Sequence, residues 1–97
     1  MVVIFIATLV VQEGQGAEFE RLQTELSELT HSHEPDTVVY DVLRHQEQAN
    51  SYVVYARFKN QEAFELHQGT DFHERLVPPI LETLGAEMQL DFYEFVA

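Results

Sequence analysis

A chain of 97 residues with 17 acidic side chains, 5 lysines and arginines and a formal net charge of −12 has no reserve of cations for holding nucleic acid or an anionic membrane surface. Hydrophobic residues at 45% and charged residues at 23% give a globular balance, and the length is that of a single domain, 1–97, burying roughly 60–65% of its unfolded surface. With no cysteine, a disulfide scaffold, a thiolate nucleophile and a Cys-based metal site are excluded, and a cytoplasmic location is the expectation.

Met1 to Val11 is apolar, but it is far short of a membrane span and lacks a basic leader, so it is expected to be mature structure. Within it Val2, Ile4, Ile6 and Val10 alternate with Val3, Phe5, Ala7, Leu9 and Val11. Both alternate sets are apolar, which predicts a central strand covered on both faces. Gln12 to Gly16 supplies a turn. From about Ala17 to His33 the spacing of Phe19, Leu22, Leu26 and Leu29 predicts a one-faced helix that Pro35 limits. A second strand is expected over Thr37 to His45, with Tyr40 sharing a face with Val38 and Val42. The polar turn Gln46 to Ser51 leads into a third strand, Tyr52 to Phe58.

Asn60 is placed to cap a helix carrying His67, Gly69 to stop it, and Thr70 to cap another segment. Pro78 and Pro79 remove two successive amide donors, so that segment is expected to bend or restart before Ile80, with Gly85 as terminator. A last strand is expected from Glu87 to Val96. The order β-α-β-β-α-β suits an α+β, ferredoxin-like split βαβ fold, an antiparallel sheet with helices on one face. Helices cover one side only, so a second copy of the chain is the simplest cover for the other, and a homodimer is expected.

His67 follows Ala63 by four residues and Phe64 by three, extending the apolar face of its helix. A half-buried imidazole there can take a proton from a phenol or enediol. Equally, it can be a structural ring packed on Phe58 or Phe72 with one nitrogen on a carbonyl. Tyr40 and Tyr55 offer hydroxyls that can orient a substrate or simply be core residues with polar tips. Tyr55 can also face a partner subunit, and His73 either a pocket mouth or solvent. Asp41 is a possible base or an edge-strand charge. His31, Ser32, His33 and Glu34 look like a metal tract, but residues two apart on a helix diverge by about 200° and no metal site is expected. No Gly-x-Ser-x-Gly elbow, phosphate-cradling glycine loop or desolvated lysine is present. Flavin, nicotinamide and ATP find no motif.

The element order, the Glu34-Pro35 step before Val38-Val39-Tyr40, and the run Tyr55 to Phe72 with Phe58, Asn60-Gln61, Glu62-Ala63, His67 and Thr70-Asp71-Phe72 together resemble the antibiotic biosynthesis monooxygenase-like family of dimeric α+β barrels. The resemblance spans nearly the whole chain. It implies two subunits forming one barrel and, among the family's activities, cofactor-independent oxidation of phenols or quinols by O₂, haem degradation and a sugar-phosphate-like isomerisation. Many relatives carry Trp and an acid where this chain has Phe58 and Ala56. Val54, Phe58 and Phe64 stand where aromatic-polyketide oxidisers place Asn, Trp and Tyr, and Ala7 and Leu76 stand where haem degraders need Asn and His.

Two functions remain open on this reading. One is a monooxygenase needing no cofactor and acting on a small aromatic substrate, with His67 as base, Tyr40 as orienting group and Phe5, Tyr55, Phe58, Phe64, Phe72 and His73 around the substrate. The other is a non-catalytic dimeric module for a small apolar ligand or a protein partner.

Overall fold

The computed structural model describes residues 1–97. Four antiparallel strands, β1 (Val3–Val10), β2 (Thr37–Arg44), β3 (Ser51–Phe58) and β4 (Gln89–Tyr93), form one sheet in the order β2-β3-β1-β4. Three helices, α1 (Gly16–His33), α2 (Gln61–Gln68) and α3 (Asp71–Glu82), pack on one face. The fold is α+β and ferredoxin-like.

Alternation sorts each strand's side chains between the two faces. Val3, Phe5, Ala7 and Leu9 pair with Phe58, Ala56, Val54 and Tyr52, and all but the first of these are buried against the helices. Phe19, Leu22 and Leu26 of α1 and Leu76 and Ile80 of α3 close this layer. The complementary set behaves differently. Ile6, Val53 and Tyr55 are half-buried, and Thr8, Val10, Asp41 and Leu43 are exposed. Ile4, in the same set, is buried near one end of β1, but from Ile6 to Val10 this face has no full cover within one chain.

Local rules account for most boundaries. Asn60 accepts the Ala63 amide at 2.8 Å and Thr70 accepts the His73 amide at 3.3 Å, each satisfying a free donor at a helix start. Gly14 takes φ of +86° in the turn before α1, a conformation that costs glycine little.

Four expectations need correction. α3 runs unbroken from Asp71 through Pro78 and Pro79 to Glu82. Leu76 and Ile80 lie one turn apart on either side of the prolines and are both buried, and their packing offsets the lost amide bonds. Gly85 is not the terminator: Thr83 caps the helix, its hydroxyl donating to the Ile80 carbonyl at 2.6 Å. Val38 does not share the face of Tyr40, because a register shift between Thr37 and Val39 inserts an extra residue. Val38 is exposed while Thr37 and Tyr40 are buried. Finally, β4 is five residues long with every side chain exposed, since it pairs only with Ile4 to Thr8 at the sheet edge.

Candidate active site

Between the sheet and α1, α2 and α3 lies a cavity of about 190 Å³, with walls drawn from Phe5, Ala7, Leu26, Val54, Phe64 and Ile80, among others. Leu81 and Leu90 line it and remain exposed, marking its mouth. Into this apolar space come the side chains of Gln23, Tyr40, His67, Gln68 and His73.

His67 is placed by the shortness of α2. Asn60 starts the helix and Gly69 follows its last residue, so Ala63 and His67, one turn apart, are the two residues it buries. The ring is 3% exposed and lies against Phe58 and Tyr40, with centroids at 5.2 and 5.4 Å. Its Nδ1 is 3.0 Å from both carboxylate oxygens of Glu34. Glu34, itself 3% exposed, caps α1, where Pro35 holds it out of helical conformation. One of its oxygens also accepts the Thr37 hydroxyl at 2.7 Å. Nε2 has no hydrogen-bond partner within the chain, yet it is not sealed off. Ring packing on Phe58 thus matches the structural alternative, but the nitrogen meets a carboxylate rather than a carbonyl.

Thr70 joins α2 to α3. Its hydroxyl donates to the His67 carbonyl at 3.0 Å while accepting from the His73 amide. This brings the two imidazoles edge to face at 4.9 Å. Burial, and then the charge of His67, hold the half-buried His73 ring below its ordinary value, with Glu34 acting the other way. Tyr40 donates its hydroxyl to Gln23 Oε1 at 3.3 Å. Burial, and then the negative charge of Glu34, raise the phenol well above its ordinary value. Tyr40 therefore stays protonated and serves as a donor.

Of the eight residues singled out from the sequence, His67, Tyr40, Phe5, Phe64 and His73 line this cavity. Phe58 is fully buried beneath it, stacked on Phe5 and against His67. Tyr55 pairs with Ile6 and Asp41 on the opposite face of the sheet. Phe72 packs on His33 with centroids at 5.9 Å. Neither Tyr55 nor Phe72 lines the cavity. Of the stretch His31 to Glu34, His31 approaches the Tyr40 carbonyl at 3.2 Å while Glu34 turns to His67, and no three His, Asp or Glu side chains are arranged to hold a metal ion.

Three polar residues at the site, Gln23, Gln68 and Glu34, were not singled out as site residues from the sequence. Gln23 lies four residues after Phe19 and three before Leu26, a polar side chain within the buried stripe of α1. That interruption was the available signal. Glu34 carried none beyond its place before proline, because its partner is 33 residues away.

Solved structures share this architecture. A Caulobacter crescentus protein, named by inference as an antibiotic biosynthesis monooxygenase, superimposes with a TM-score of 0.93 at 25% identity, over 99% of this chain and 91% of that one. A conserved Methanosarcina mazei protein gives 0.89 at 22% identity, over 96% and 91%. A Nitrosomonas europaea protein, named in the same way as the first, gives 0.90 at 15% identity, over 98% and 90%. No curated protein sequence matches the chain. The model of the antibiotic biosynthesis monooxygenase family matches residues 2–78, a span that holds β1 to β3, both imidazoles and Glu34. By that match, the chain belongs to the antibiotic biosynthesis monooxygenase family.

Proposed function

We propose that this protein is a monooxygenase that oxidises a small phenol, quinol or anthrone-like substrate with O₂, using His67 as base and no cofactor. The observation that carries the reading is a buried imidazole that lines an apolar cavity and whose Nε2 has no hydrogen-bond partner in the chain. At about 190 Å³ the cavity lies below the roughly 300–1,000 Å³ common for small-molecule sites, which within this class favours one- or two-ring phenols and quinols over a three-ring anthrone.

In this reading the apolar walls align the substrate ring, and the Tyr40 hydroxyl or the Gln23 amide holds an oxygen of it. His67 Nε2 takes the phenolic proton. The electron-rich anion passes one electron to O₂, and the substrate radical and superoxide join at a ring carbon that bears hydrogen. Cleavage of the O–O bond with loss of that hydrogen gives a carbonyl. One O₂ is consumed, one oxygen atom enters the product and the other leaves as water. Low polarity favours encounter with O₂ and keeps water from the anion.

We also propose that the working form is a homodimer in which the open sheet faces pack together, since Val10 and Leu43 on that face are 42% and 51% exposed. The test of the reaction is O₂ uptake on a panel of quinols and anthrones by wild type and His67→Ala. Uptake by wild type and its loss in a folded variant is the expected result. No uptake on any substrate would leave a non-catalytic binding module of this fold as the better reading.

A further inference from the structure

His67 is one half of a buried pair, and the other half does not line the cavity. Glu34 Oε1 and Oε2 are equidistant from Nδ1, at 3.0 Å, and Oε1 also accepts from Thr37. A carboxylate has no hydrogen to give, so an Nδ1 that faces both of its oxygens is the nitrogen that carries hydrogen, and in a neutral ring that leaves Nε2 with its lone pair. Nε2 is the nitrogen without a partner in the chain.

We infer that Glu34 is a positioning residue: it selects the tautomer of His67 that presents a bare Nε2 to the cavity, and it offsets the positive charge the ring acquires on taking a proton. The inference rests on the proposal that His67 is the base. Its geometric basis is threefold. Pro35 ejects Glu34 from α1, the register shift beside Val38 lets Thr37 as well as Tyr40 turn inward, and α2 stops soon enough to leave His67 over both. The carboxylate is thereby fixed by one hydroxyl and one imidazole. The logic is that of a carboxylate orienting a catalytic histidine, in which losing the charge while keeping the shape puts the ring in the wrong tautomer. A purely structural pair has no such requirement. It would hold α2 against the end of α1 equally well with the ring doubly protonated, since Nε2 takes no part in it.

The test combines a spectrum with an assay on the full chain. In protein labelled with ¹⁵N in its histidines, ring correlation spectra at pH 7.5 report which nitrogen of His67 bears hydrogen. Wild type is expected to show hydrogen on Nδ1 and none on Nε2. In Glu34→Gln the amide can donate to Nδ1 as readily as it accepts, so the two tautomers mix or invert. Glu34→Asp, which keeps the charge, should retain the wild-type form at least in part. O₂ uptake on a quinol should fall in Glu34→Gln by about 10²–10⁴-fold in kcat with KM little changed, and recover in part in Glu34→Asp. A wild-type ring with hydrogen on Nε2 or on both nitrogens overturns the inference. So does a Glu34→Gln variant with an unchanged tautomer. If Glu34→Gln does not fold, the wild-type and Glu34→Asp spectra decide. If wild type turns over no substrate, His67 fails as a base while the spectrum still judges Glu34, so the two ideas fail separately.

Discussion

The two faces of the sheet are made by the same strands and differ in what neighbouring residues do. Tyr40 and Asp41 are consecutive in β2, as are Val54 and Tyr55 in β3. Tyr40 and Val54 line the cavity, while Asp41 and Tyr55 turn to the open side. The helix-covered face holds a closed set of polar contacts, His67 with Glu34 and Tyr40 with Gln23, inside an apolar wall. On the open face Ile6, Val53 and Tyr55 are half-buried, with Asp41 and Arg57 beside them and no helix above. A residue's side of the sheet thus matters more than its chemical type. Tyr40 and Tyr55 are the same amino acid, and only Tyr40 lines the cavity.

Substitutions can break this contrast. Phe58→Ala, at a fully buried ring under the site, should cost about 3–5 kcal/mol in denaturant unfolding. Val53→Arg on the open face should change unfolding of an isolated chain by only about 0.5 kcal/mol. If a second copy covers that face, the same variant should dissociate it, and sedimentation should pass from a dimer of 11.2 kDa chains to the single chain. A wild type that sediments as one folded chain would sink the dimer. Tyr40→Phe should cost about 1–3 kcal/mol, because Gln23 loses its buried donor, whereas Tyr55→Phe should cost less.

The smallest expected effect is in pH. His73 is held below the 6.5 of a free imidazole, so below that pH the unfolded chain binds more protons than the folded one. Stability should therefore fall as pH drops through this window, by at most about 1.4 kcal/mol per pH unit. His73→Phe should flatten that part of the curve in denaturant titrations at pH 5 to 8, and an unchanged slope would remove His73 from the account.

Element order, the caps at Asn60 and Thr70 and the apolar face of α1 were legible in the sequence, because each rests on residues within a turn or two of one another. The unbroken α3 was not, since two prolines argue locally for a break while the burial of Leu76 and Ile80 is a tertiary effect. Nor was the displacement of Val38, because a single inserted residue leaves no mark on alternation. At the site, His67 stood out by its spacing from Ala63 and Phe64. Glu34 did not, because its role depends on a contact between the ends of two helices that only the fold brings together. Tyr55 and Phe72 lie outside the cavity, because aromatic character alone does not say which side of the sheet or helix a residue faces.

The most direct measurement is the ionisation of a bound phenol. A chromogenic naphthol titrated into the protein at a pH about one unit below its solution pKa reports deprotonation through its phenolate absorption band. Wild type should show that band on binding, and a folded His67→Gln variant should bind the same compound without it. Binding with no phenolate band in wild type, or with an equal band in the variant, would contradict His67 as the base.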